Sequence, residues 1–65
     1  MVGKAIKQYI DDHGIKRSFI IEKTGISGPK LTAIFKGERK LETSEYFAIC
    51  DALGVDIGEF KDAVK

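Results

Sequence analysis

One cysteine, one proline, one histidine and no tryptophan leave this 65-residue chain without several common means of bracing a fold or doing chemistry. A lone Cys50 excludes an intramolecular disulfide, and the absence of any His and Cys cluster leaves no candidate metal site to take its place. No apolar run approaches the roughly 20 residues needed to cross a bilayer. The N-terminus also lacks the basic segment, apolar stretch and small-residue cleavage site of a secretory signal. The expectation is therefore a cytoplasmic chain with a reduced Cys50 and no membrane partner. Alternating strand patterns, internal repeats and low-complexity tracts are missing as well. The length suits one domain over 1–65, near the lower limit at which apolar burial supports folding without staples.

The overall charge of +1 gives little reason to expect a polyanionic partner, but its distribution does. Between Gly14 and Leu41, seven basic residues (Lys16, Arg17, Lys23, Lys30, Lys36, Arg39, Lys40) face only Glu22 and Glu38, a net +5. From Glu42 onward the balance is −4, and residues 1–13 are neutral. The middle of the chain suits phosphate and the C-terminal part does not.

What is abundant is helical periodicity. Val2, Ala5, Ile6, Tyr9 and Ile10 recur at three- and four-residue intervals, and Gly14 closes that helix as its C′ residue. A second helix runs from about Arg17 to Thr24, with Phe19, Ile20 and Ile21 as apolar surface, before Gly25 interrupts it. Ser27 is the expected N-cap of a third helix, Pro29 sits in its first turn where no intrahelical N–H is lost, and Leu31, Ile34 and Phe35 form its apolar face. Gly37 stops it. Thr43 is the expected cap of a fourth helix carrying Tyr46, Phe47, Ile49, Cys50 and Leu53, which Gly54 ends. Asp56 and Glu59 suggest a capping box for a short fifth helix with Ile57, Phe60 and Val64 on one side. The fold class expected is all-α, a compact five-helix domain.

The segment 17–36 is the most informative. Two short helices separated by Thr24-Gly25-Ile26-Ser27 meet the demands of a helix-turn-helix: a residue tolerant of positive φ between the helices, apolar side chains to lock them, and a cap to start the second. Gly25 meets the first, Ile20, Ile26, Leu31 and Ile34 the second, and Ser27 the third. These four apolar residues are expected to be core that positions a site without touching a ligand.

With its stretches IEKTGIS (21–27), LTAIFKGERK (31–40) and FAICDALGVDIGEF (47–60), the chain resembles the Cro and phage-repressor type of helix-turn-helix regulators, the lambda repressor-like family. The resemblance covers nearly the whole chain. It implies a five-helix domain that binds operator DNA, commonly as a dimer, in a transcriptional regulator, most readily a repressor, of prokaryotic or phage origin and with no small-molecule ligand. Ile21 departs from the family's usual small residue and implies altered helix packing. Arg17 replaces a frequent glutamine but suits a phosphate, Lys16 replaces a hydroxyl-bearing cap, and Phe35 stands where glutamate is common.

At about 100° per residue, Gly28, Pro29, Thr32, Ala33 and Lys36 fall opposite the apolar face of the third helix. Gly28, Pro29, Thr32 and Ala33 are the residues expected to face bases. Arg17, Ser27, Lys30, Lys36, Arg39 and Lys40 are the expected phosphate or groove contacts. The face has no Arg, Asn or Gln for bidentate base recognition, so thymine methyl contacts from Thr32 and Ala33 and the shape of the DNA are the expected sources of preference. Pairing of two subunits is expected through Val55, Ile57, Phe60 and Val64, although these also suit a core.

No catalytic arrangement accompanies this. His13 has no nucleophile or second acid–base group placed with it and suits a helix C-terminus; Cys50 falls on an apolar stripe; Asp11-Asp12 and Glu42…Glu45 have no room for a cleft in so small a domain. The chain is read as a non-enzyme without cofactor. The rival reading is a helix-turn-helix scaffold that has lost DNA reading and serves as a protein-interaction module, an antirepressor-like adaptor. Gly28, Pro29 and Ala33 favour it, and Arg17 with the basic loop opposes it.

Overall fold

The apolar stripes and glycine stops resolve into four helices in the computed structural model, which describes residues 2–61. They are α1 (Val2–Asp12), α2 (Arg17–Thr24), α3 (Gly28–Lys36) and α4 (Thr43–Leu53). Helix α1 packs on α3, and α2 packs on α4 and on α3. Ile6 and Ile10 from α1, Ile20 from α2, Ile26 from the turn, Leu31, Ile34 and Phe35 from α3, and Ile49 and Cys50 from α4 make one buried cluster. Each such side chain contributes about 1.5–3 kcal/mol on leaving water. No charged or polar side chain is buried among the described residues.

All four helices end on a glycine in the left-handed region: Gly14, Gly25, Gly37 and Gly54, with φ from 65° to 78°. Three of these ends also close a longer return bond, from Ile15 N to Ile10 O, Glu38 N to Ala33 O and Val55 N to Cys50 O. The end of α2 differs. Gly25 N donates to Ile21 O at 2.9 Å, while the next amide, Ile26 N, turns to Thr24 Oγ1 at 3.2 Å. The Thr24 hydroxyl in turn donates to Ile20 O at 2.7 Å. One threonine therefore braces the turn, and only three residues separate α2 from α3.

Among the described residues four helices stand where five were expected. After Gly54 the chain makes turns over 57–60, with Glu59 N bonded to Asp56 O and Lys61 N to Gly58 O. Asp56 Oδ1 accepts from Gly58 N at 3.4 Å, so no reciprocal box with Glu59 forms. Gly58 inside the segment costs a helix about 1 kcal/mol relative to alanine. Phe60 reaches the core, edge-on to Tyr9 and Tyr46 with ring centroids 5.7 and 6.5 Å away. Val64 lies outside the described residues.

Two caps also differ from expectation. Ser27 occupies the N-cap position of α3, but its side chain makes no capping bond. At α4 the cap is Glu42 and Thr43 is the first helical residue. The Glu42 carboxylate accepts the Glu45 N–H while Glu45 Oε1 accepts the Glu42 N–H at 3.0 Å, a full capping box built from two glutamates. Arg39 offsets their crowding, with Nη1 at 3.0 and 3.2 Å from the two Glu45 oxygens. The Glu42 amide, and next the Arg39 guanidinium, hold the Glu45 carboxyl below the usual glutamate range.

Helix α1 approaches α3 through Gly3, which is buried. A Cβ there would overlap the Ile34 carbonyl oxygen and lie 3.1 Å from its carbonyl carbon. Backbone cannot yield as a side-chain tip can. Gly3→Ala is therefore expected to lose about 1–3 kcal/mol, read as a fall in thermal midpoint of about 4–8 °C per kcal/mol. An unchanged midpoint would contradict this contact.

Glu45→Gln keeps the acceptor of the capping box and removes its charge, at a cost of about 1 kcal/mol at neutral pH. The folded carboxyl is more acidic than the unfolded one, so its charge stabilises above about pH 4.3, and that contribution is lost as pH falls through the lower folded value. Urea midpoints of the two proteins should differ at neutral pH and converge in acid. A gap that stays constant through the acid limb would show that the charge is not responsible.

Candidate nucleic-acid interface

Three of the nine residues of α3 are fully committed to the core: Leu31, Ile34 and Phe35. The opposite side carries exposed Pro29 and Lys36 and half-buried Gly28, Thr32 and Ala33, flanked by exposed Ser27. The four residues expected to face bases therefore share one side of α3. Ile21 lies close to Gly28: a Cβ added at Gly28 would sit 3.6 Å from Ile21 Cδ1, an ordinary contact. Gly28 is thus part of the close α2–α3 junction as well as of the outer face.

The basic residues divide into two groups. Lys36, at the C-terminal end of α3, and Lys40, in the loop after it, are exposed and make no ion pair among the described residues. A lysine near the end of α3 also complements its dipole. Arg39 differs: its side chain is only 34 % exposed and engages Glu45, so its first duty is to the start of α4. Lys30 is exposed on α3, and its charge adds a minor favourable influence on the Glu45 carboxylate. Sequence reasoning put Arg39 and Lys40 together as equals, because the partner of Arg39 lies six residues away on no helical period.

Arg17, the first residue of α2, reaches across to α3. Its Nη1 donates to Thr32 Oγ1 at 2.8 Å, and its guanidinium carbon lies 5.2 Å from the centroid of the Phe35 ring. This link between a residue expected to grip phosphate and one expected to face bases was not visible in the spacing, since the two are fifteen positions apart.

The residues expected to join subunits are scattered in role. Phe60 is 6 % exposed and packs between Tyr9 and Tyr46 in the core of its own chain, the alternative that the sequence left open for these residues. Val55 is half-buried against the same core, while Ile57 is 54 % exposed. The Tyr46 hydroxyl donates to the Ile57 carbonyl and ties this exposed residue to α4. Phe47 of α4, expected on the apolar stripe, is also exposed. Its neighbours at 46, 49, 50 and 53 already fill the buried side of the helix.

Nothing here resembles a catalytic centre. Burial pushes the Cys50 thiol up, away from the reactive thiolate. His13 stacks on Tyr9 at 3.9 Å and its Nδ1 meets the Tyr9 carbonyl oxygen at 2.9 Å, at the end of α1. Among the described residues no group of His, Cys, Asp and Glu suits a metal ion, and no helix is long and apolar enough to cross a membrane.

Comparison with known proteins agrees with this geometry. A family model described as the Cro/C1-type HTH DNA-binding domain matches residues 5–65, while no curated protein and no solved structure gave a match. The match spans α2, the braced turn and α3 together with the helices that hold them, and on that ground the chain belongs to the Cro/C1-type helix-turn-helix DNA-binding domain family, whose members are DNA-binding regulators and not enzymes.

Proposed function

We infer that this protein is a sequence-specific transcriptional regulator, acting as a repressor, that lays α3 in the major groove of operator DNA and holds the flanking phosphates with basic side chains. The observation that carries this reading is the outer side of α3: Gly28, Pro29, Thr32 and Ala33 are left out of the core, with Lys36 and Lys40 exposed beside them and in no ion pair among the described residues. A helix of this diameter fits the groove, its N-terminal half meets base edges, and neighbouring side chains meet phosphates. Ser27 and Lys30 border the same end of α3. The chain is expected to work as a homodimer on DNA, because so small a reading face reaches useful affinity by doubling its contacts. Ile57 and Phe47 supply apolar surface outside the core for that pairing, with Val55 at its edge.

Fluorescence anisotropy with duplexes from the DNA flanking the gene, across a salt series, tests the reading. Saturable binding should weaken steeply with salt. Lys36→Ala and Lys40→Ala should each lower the slope of log K against log salt by about one per protomer. These lysines are better probes than Arg39, whose loss would also disturb the start of α4. Absence of binding to any duplex at low salt would transfer the function to the rival reading, a protein-interaction scaffold. Sedimentation of the protein with a saturating duplex should show two protomers per site, and Ile57→Asp should shift this toward one. A single protomer per site in the wild type would overturn the dimer.

A further inference from the structure

The outer side of α3 poses a chemical problem for a sequence-specific protein. Gly28, Pro29 and Ala33 carry no side-chain donor or acceptor, Thr32 has a single hydroxyl, and Lys30 and Lys36 each end in a compact ammonium on a flexible stem. None can present the rigid planar fork that reads two atoms of one base edge at once. The nearest group that can is on the other helix. We propose that Arg17 is the principal base-reading residue, recognising a guanine edge in the major groove, and that Thr32 and Phe35 are the residues that position it. The proposal rests on the DNA-binding reading above and assigns its specificity.

Three features of Arg17 support this role over that of a plain phosphate contact. Its guanidinium is bonded to Thr32, so it lies at the outer side of α3 and not away along α2. One donor is committed there and four remain, including the intact Nε and Nη2 edge, a fork that matches guanine O6 and N7. Finally, the bond to Thr32 and the Phe35 ring 5.2 Å away hold the plane in one orientation before DNA arrives. A phosphate is satisfied by charge from many directions, whereas a base edge demands a fixed fork, and ordering the side chain in advance reduces the entropy lost on binding.

The test begins with selection of duplexes from a randomised pool by the full-length protein. Affinities are then measured for every single base-pair change in the best duplex, in several salt concentrations, with wild type, Arg17→Ala, Arg17→Lys and Thr32→Val. The expected result is a G·C preference at one position of each half-site that falls roughly ten- to a hundred-fold in Arg17→Ala, with preferences elsewhere intact. Arg17→Lys should fail to restore it, and Thr32→Val should weaken it at the same position. A general loss of folding would not confine its effect to one base pair. Uniform weakening on all sequences, a salt slope lower by about one and recovery with lysine would make Arg17 a phosphate contact and overturn the proposal. If the wild type enriches no sequence from the pool and binds no duplex, the DNA-reading function fails and the proposal with it. If the wild type selects a site in which Arg17→Ala changes no preference, only the proposal fails.

Discussion

The arrangement of α2 against α3 hangs on the turn from Thr24 to Ser27, where a left-handed glycine and one threonine hydroxyl let two helices meet with three residues between them. At the other helix ends the chain spends a further amide on closing a longer loop. Here the Ile26 amide is satisfied by Thr24 instead, so the chain is free to enter α3 at once, and Ile26 itself drops into the core beside Ile20 and Leu31. A buried amide left without a partner would cost about 1–3 kcal/mol. The threonine removes that cost where the path of the chain would otherwise incur it. Everything that follows, including which side of α3 is left outside, depends on this junction being short and rigid.

So small a domain has little spare apolar surface, and the remaining contacts show how closely it is used. Gly3 lets α1 reach the backbone of α3, Phe60 is drawn from the C-terminal segment to seal the core between two tyrosines, and Arg39 is drawn from the loop to settle the start of α4. Each fixes an element that in turn holds α2 and α3. The cost is chemical: a residue engaged in this way is less available to a partner. Lys36 and Lys40 make no such contact among the described residues.

Four helices and their glycine ends were legible in the sequence because they rest on local physics: a 3.6-residue period and residues that tolerate positive φ. The expected spans of α2 and α3, 17–24 and 28–36, match the structure. The fifth helix illustrates the limit of such reasoning. Ile57, Phe60 and Val64 have helical spacing, yet Gly58 interrupts the segment and Phe60 is held by rings from α1 and α4. The cap of α4 shows another limit. Thr43 looked like a cap from its type, but Glu42 takes that place because Glu45 and Arg39 are positioned to complete its bonds.

By itself the sequence determined the all-helical class, the helix-turn-helix between Arg17 and Lys36, its core and the basic character of the segment around it. Period, chain reversal and net charge are properties of neighbours along the chain, and they survive without knowledge of the whole. Only the tertiary structure decided which charges are free and which are engaged. It set Arg39 on Glu45 and left Lys40 exposed, placed Phe60 in the core, and brought Arg17 to Thr32 across fifteen positions of sequence. The physical reason is that a side chain's partner is chosen by proximity in space, and that proximity comes into being only when the helices have packed.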